Sequence, residues 1–330
     1  MNGSAIHDIT TAKESSLQGK LLVDFDSKIP NLALMKVSGY LREKGSEVYL
    51  NTPLGDYDQV YLSCIFTWNR EKAMSAINFQ RSMGKEVFYG GTGFDWGIED
   101  RTKRQELPPE IDARMPDYTL YPNDDRAIGF AQRGCDRKCE FCDVWRKEGK
   151  IQKGYTPISL IVPEGRNKLL LLDNDIALSP QHDAIINECR DLKLKLSITQ
   201  GYDVRCITKE RAEFLAIDKP WDLDFKHRRI YIAWDYLGIE NYVRNGIECL
   251  LDSGFRSNEI YCYMICGFDT THDQDLYRFF KVQEFGANPY VMPFNNRTDD
   301  PWLNHFKRFV NRGYCRFVDV SEYKNGVLVN

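Results

Sequence analysis

Short apolar runs recur along this chain, and most are followed by a stretch in which apolar positions return every three or four residues. The runs at 21–25, 47–50, 60–64 and 86–89 predict β-strands, and the spacing at 32–44 and 69–83 predicts helices that stop at Gly45 and Gly84. From residue 127 the rhythm restarts. Strands are predicted at 128–131, 168–172, 194–199, 230–233, 260–265 and 290–292, with helices at 181–191, 208–217, 239–254 and 272–286. Strand and helix in alternation mean parallel sheets, so the fold class is α/β. The six strands of the second series, each followed by a helix or a return segment, are too few for a closed eight-unit barrel and predict an open, partial one. Residues 95–126 have weak periodicity and hold Pro108, Pro109, Pro116 and Pro122. The predicted organisation is a leader at 1–19, a small sheet domain at 20–95, a linker at 96–126, the partial barrel at 127–295 and a capping segment at 296–330.

Composition narrows the class. Of the 330 residues, 42% are hydrophobic and 28% charged, a globular balance. No apolar stretch is long enough to span a bilayer, and Met1 to Leu17 lacks the apolar core of a secretory signal, so a cytoplasmic location with no membrane partner is expected. A net charge of −4 argues against non-specific nucleic-acid binding by the whole chain and leaves room for a local basic groove. There are ten cysteines. In a reducing compartment, clustered cysteines point to metal binding or catalysis rather than to disulfides. Those at 64, 189, 206, 249, 262, 266 and 315 are scattered and read as small buried hydrophobes.

Cys135, Cys139 and Cys142 are different. Their C-x3-C-x2-C spacing, in a loop just after a predicted strand, lets three thiolates converge on one metal centre. A [4Fe–4S] cluster takes cysteine ligands, and three of them leave one iron open to a small molecule. A structural zinc would need a fourth ligand, and the nearest histidine in sequence is His182. The ends of the predicted barrel strands carry polar residues: Asp173, Asn174, Asp175, Gln200, Asp203, Arg205 and Asp235. The aspartates 173, 175, 203 and 235 are candidates for proton transfer. Gly90 to Gly93 reads as a turn, or as a close approach to a phosphate. Basic and aromatic residues interleave from Arg297 to Arg316, either to bind bases and phosphates or as an amphipathic helix at 301–311 that closes the barrel.

The cysteine segment resembles the signature of the radical S-adenosylmethionine (radical SAM) superfamily, C-x3-C-x-Φ-C with Φ aromatic; Phe141 takes the aromatic place. The resemblance covers residues 125–295. Asp173 to Asp175, the run from Gln200 to Arg205, Gly267 to Thr271 and Pro289 to Met292 look like a poorly characterised group of such proteins from bacteria and bacteriophages. The resemblance implies a partial (βα)6 TIM-like barrel. It implies that Cys135, Cys139 and Cys142 hold a [4Fe–4S] cluster, and that Phe141 packs near the adenine of SAM. A Gly-Gly-Glu-like segment is absent, and Asp173, Asn174 and Asp175 stand in the place that would hold the SAM amino group. Arg205 would pair with the SAM carboxylate, Asp235 would accept from its ribose, and Gly267 would admit the adenine. The implied activity is cleavage of SAM to a 5′-deoxyadenosyl radical that removes a substrate hydrogen atom, with flavodoxin or ferredoxin as one-electron donor. The implied substrate is a nucleotide or DNA base, as in phage-type thymine hypermodification. The alternatives are a small metabolite or peptide, including cobalamin-assisted methyl transfer, and a non-catalytic metal-binding protein. The first domain resembles the Rossmann-like or flavodoxin-like cobalamin-binding domain that precedes many of these barrels. The D-x-H-x-x-G motif is missing from residues 24–31, so cobalamin is not expected.

Overall fold

A computed structural model describes residues 19–52, 55–98, 100, 103–296, 299–318, 320, 323–324 and 327–328. The predicted leader, apart from residue 19, lies outside the described residues. The chain is α/β with parallel sheets and divides into two compact units, one running to Ile128 and including Ser159–Arg166, the other comprising Gly129–Ile158 and Asn167 onward.

The first unit is built on β1 (Gly19–Asp24), β2 (Val48–Leu50), β3 (Tyr57–Ser63) and β4 (Glu86–Gly90), in the order β2-β1-β3-β4 and parallel throughout. Helices α1 (Leu32–Glu43) and α2 (Arg70–Ser82) make the crossovers. A parallel sheet is covered on both faces, and Leu21, Leu22, Val60, Leu62, Val87 and Phe88 are accordingly buried. Asn31 starts α1 by accepting from Leu34 N at 3.1 Å. Strand β3 begins at Tyr57, earlier than its apolar run. The buried Gln59 is polar but satisfied, donating to Glu86 at 2.7 Å and accepting from Tyr61 Oη at 3.0 Å. The glycine run at the end of β4 leads into the short α3 (Thr92–Asp95). Its backbone packs on the chain after β3, with Cys64 N donating to Gly90 O and Gly93 N to Cys64 O, both at 3.0 Å. The described part of 96–126, which includes the short α4 (Pro109–Asp112), belongs to this unit and is tied to α1. Ser38 Oγ donates to Asp117 at 2.6 Å and Asp117 N to Met35 O at 3.1 Å.

The second unit begins within β5 (Ala127–Gly129). After the short α5 (Val144–Lys147), β6 (Lys168–Leu171), β7 (Lys195–Ile198), β8 (Ile230–Ala233), β9 (Ile260–Cys266) and β10 (Asn288–Pro293) follow. They are separated by α6 (His182–Asp191), α7 (Lys209–Ile217), α8 (Glu240–Asp252) and α9 (His272–Glu284). The strands form two three-stranded sheets, ordered β5-β6-β7 and β8-β9-β10. A parallel bridge from Tyr202 to Ile232, with Tyr202 N donating to Tyr231 O at 2.8 Å, carries the ladder from the chain after β7 to β8. Strand β9 alternates, with Cys262, Met264 and Cys266 wholly buried and Tyr261, Tyr263 and Ile265 half-buried.

Helix α10 (Pro301–Asn311) is amphipathic, burying Leu303, Phe306, Phe309 and Val310. The basic residues Arg308, Arg312 and Arg316 are exposed, so the interleaved pattern separates into an apolar face and a solvated one. Asn311 closes the edge of β10: its Nδ2 donates to Val291 O and its Oδ1 accepts from Val291 N, both at 2.8 Å.

Two measurements test this packing. Asn311→Ala leaves the buried Val291 amide and carbonyl unpaired and should lower stability by about 1–3 kcal/mol, read from urea unfolding. Glu259 accepts from Lys219 Nζ at 2.8 Å, Arg256 N at 2.9 Å and Arg256 Nη2 at 2.7 Å. Burial alone pushes its carboxyl up, and these donors reverse that and hold it at about 2 against an ordinary 4.5. Because the folded pKa is the lower one, the contribution is complete above about 4.5 and is lost as pH falls toward 2. Glu259→Gln should therefore unfold at lower urea than the parent near neutral pH, with the gap closing across that acidic window.

Candidate functional site

The cysteine loop follows β5 and is held from the end of β6. The ladder stops at Gly129 because the next amides bond to a side chain: Asp173 Oδ1 accepts from Ala131 N at 2.7 Å and Oδ2 from Gln132 N at 3.1 Å. Asn174 Oδ1 accepts from Gly134 N at 2.9 Å. A return segment ties down the other side, with Cys135 N donating to Gly149 O at 3.1 Å and Gln132 Nε2 to Gln152 O and Gly154 O, both at 2.8 Å. The two backbones run so close that a Cβ on Gly134 would sit 2.2 Å from Lys150 O, and its φ of +94° favours glycine independently.

Within this frame the three cysteines are free and half-buried. Cys142 N donates to Cys139 O at 3.1 Å, and Arg137 N approaches Cys135 Sγ at 3.4 Å. Trp145 Nε1 and Arg146 Nη1 take the carbonyls of Cys139 and Cys142 at 3.1 and 3.0 Å. Burial pushes all three thiols up, Cys135 to about 12, and the negative charges of Asp175, Cys142 and Cys139 add to the effect on Cys135. Thiols that raise one another in this way ionise together only beside a positive centre. Among the described residues, no three His, Cys, Asp or Glu side chains are grouped to hold a single metal ion.

An ion clamp joins the loop to the chain after β7. The buried Asp203 carboxylate accepts from Arg137 Nε and Nη2, both at 2.9 Å, and from Arg205 Nε at 2.7 Å and Nη2 at 3.0 Å. Burial would raise its pKa, but its hydrogen bonds with Arg205 and the charges of both arginines hold it below the usual carboxylate range. Asp203 is thus held between two arginines that favour its ionised form.

Asp175 and Asp235 are set differently. Burial, with the nearby charge of Asp203, pushes Asp175 up to about 7, and its buried Oδ1 has no hydrogen-bond partner among the described residues. Burial pushes Asp235 up to about 6, and its Oδ1 accepts from Ile265 N at 3.3 Å. Asp173 is raised to about 7, also by burial.

A cavity of about 320 Å³ opens at this end of the strands. Its lining includes Cys139, Phe141, Arg205 and Asp235 from the sequence-predicted set. Lys138, Glu140, Tyr236, Phe268 and Asp269 complete it with Arg137, and the Phe141 and Phe268 rings meet edge to face at 5.9 Å. Asp173 and Asn174 are occupied with loop backbone instead. Gly267 adjoins the lining; its φ of +75° favours glycine, and a Cβ there would lie 2.4 Å from Leu303 Cδ1 on α10. Sequence reasoning passed over Arg137, whose place between two of the cysteines was the available signal, and Tyr236, which follows a strand-end aspartate.

No family model matches this chain, and neither does any curated protein.

The clamp predicts that Asp203→Ala leaves two arginines facing each other without their shared anion. The metal-free protein should lose about 1–3 kcal/mol. Amide exchange across residues 133–143 should quicken, whereas the exposed Lys138→Ala should change neither.

Proposed function

We propose that the chain is a radical SAM enzyme in which Cys135, Cys139 and Cys142 hold a [4Fe–4S] cluster. The observation that carries the reading is the placement of the C-x3-C-x2-C loop: it follows a parallel strand, and Cys139 and Phe141 line one cavity with Arg205 and Asp235. On this reading β5 to β10 form the partial (βα)6 barrel, with the Tyr202–Ile232 bridge as the seam between its halves.

The donor set fits the group. It supplies three free thiols, Cys135, Cys139 and Cys142, on one loop, and soft thiolates are the usual ligands of such a cluster. When bound, the cluster and SAM supply one-electron cleavage of a carbon–sulfur bond and a hydrogen-abstracting organic radical. The protein's part is binding, orientation and exclusion of water. Asp175 Oδ1, buried and unpartnered, is suited to accept from an ammonium. Asp235 offers its carboxylate to hydroxyl donors. Phe141 and Phe268 supply ring surface for a planar base. Arg205 is engaged by Asp203 through Nε and Nη2, so it acts first as the partner that keeps Asp203 ionised and Arg137 in place. A one-electron donor belongs to the proposal, and cobalamin does not. Outside the carboxyl ends of β1 and β3, where an open sheet of this order binds ligands, Asp26 accepts from Ile65 N at 2.7 Å, Phe66 N at 3.1 Å and Asn69 Nδ2 at 3.0 Å, so the chain's own carboxylate fills that place.

The test is anaerobic reconstitution with iron and sulfide, followed by dithionite and SAM. The expected result is about four irons per chain and formation of 5′-deoxyadenosine. The Cys135→Ala/Cys139→Ala/Cys142→Ala variant should give neither. Protein that takes up zinc in place of iron, or loaded protein that does not bind SAM, overturns the reading.

A further inference from the structure

An ion pair sealed from water is bonded to the chain on either side of residues that line the cavity. Arg278 and Asp275, both on α9, have side chains at 0% exposure, with Arg278 Nη2 2.6 Å from Asp275 Oδ1. The pair reaches three places. Arg278 Nη1 donates to Trp234 O at 2.5 Å, at the end of β8. Its Nη2 donates to Ile265 O at 2.6 Å, near the end of β9. Asp275 Oδ1 accepts from Thr270 Oγ1 at 2.7 Å, on the far side of the β9–α9 loop. Between these anchors lie Asp235, Tyr236, Phe268 and Asp269, four residues of the cavity lining.

The pair is poorly built for stability. Burying two charges costs free energy that their attraction barely returns, and apolar residues of similar size often replace such pairs at little loss. Two of its polar atoms, Arg278 Nε and Asp275 Oδ2, have no hydrogen-bond partner among the described residues. Its geometry is specific nonetheless. A planar guanidinium bridges two strand-end carbonyls at fixed spacing, which a lysine ammonium on a flexible stem does not reproduce.

We propose that Arg278 is a positioning residue: with Asp275 it fixes the spacing of the β8 and β9 ends and of the loop carrying Phe268 and Asp269, and thereby sets how tightly the cavity holds its ligand. The choice of SAM as that ligand rests on the function proposed above; the positioning itself does not.

The experiment uses the full chain, reconstituted anaerobically, as wild type, Arg278→Met/Asp275→Leu and Arg278→Lys. Iron content, Tm, SAM affinity by equilibrium dialysis and amide exchange at residues 266–270 are measured on each. The double variant should keep its iron and a Tm within about 4 °C of wild type. Its SAM Kd should rise about tenfold or more, because small displacements of positioning groups are amplified in binding. Exchange at 266–270 should quicken, with Arg278→Lys in between. A double variant that binds SAM and exchanges like wild type overturns the proposal, as does one whose affinity falls only in step with Tm. Should the double variant not fold, Arg278→Lys decides by the same readouts. A wild type that fails to bind SAM defeats the radical SAM reading, and exchange at 266–270 then still decides the positioning.

Discussion

Where the chain leaves β5 for the cysteine loop it gives up its ladder, and the Asp173 carboxylate takes two of the amides set free. One oxygen takes the amide of Ala131 and the other that of Gln132, while Asn174 next door takes Gly134. The end of β6 is thus a clamp for the chain leaving β5. The cysteine segment starts from the backbone held there. The arrangement is demanding, because a buried carboxyl is hard to ionise and is retained only where backbone donors compensate it.

Electrostatics around the loop divide in two. Asp203 is saturated by Arg137 and Arg205 and behaves as structure. Asp175 and Asp235 are raised toward neutrality chiefly by burial, although Arg137 and Arg205 stand nearby. The same tension runs through the sealed Arg278–Asp275 pair, where burial makes each charge dependent on its partner and so on the strand ends it touches.

Much of the frame was legible in the sequence. The alternation of apolar runs and helical spacing carried the α/β class and its strands, because hydrophobic period is set locally. Helix α10 was read at its observed bounds from the same signal. What escaped reading depends on partners far apart in the chain. Strand β3 starts early because Gln59 finds Glu86, β5 stops early because Ala131 finds Asp173, and residues 149–156 wrap the cysteine loop through backbone bonds that no residue type announces. At the site, the sequence could not announce the internal partners: Arg205 lines the cavity and also grips Asp203, and Gly267 adjoins it and also meets Leu303.

Asn311 has a bearing on how such a sheet is ended. A strand at the margin offers a row of amides and carbonyls to any extended chain, and growth by one more strand is the default hazard. Here a single carboxamide copies the donor and acceptor of an incoming residue at Val291 while belonging to a helix, which offers no further rung. The sheet is terminated by imitation: the last strand is given the chemistry of a neighbour without the neighbour.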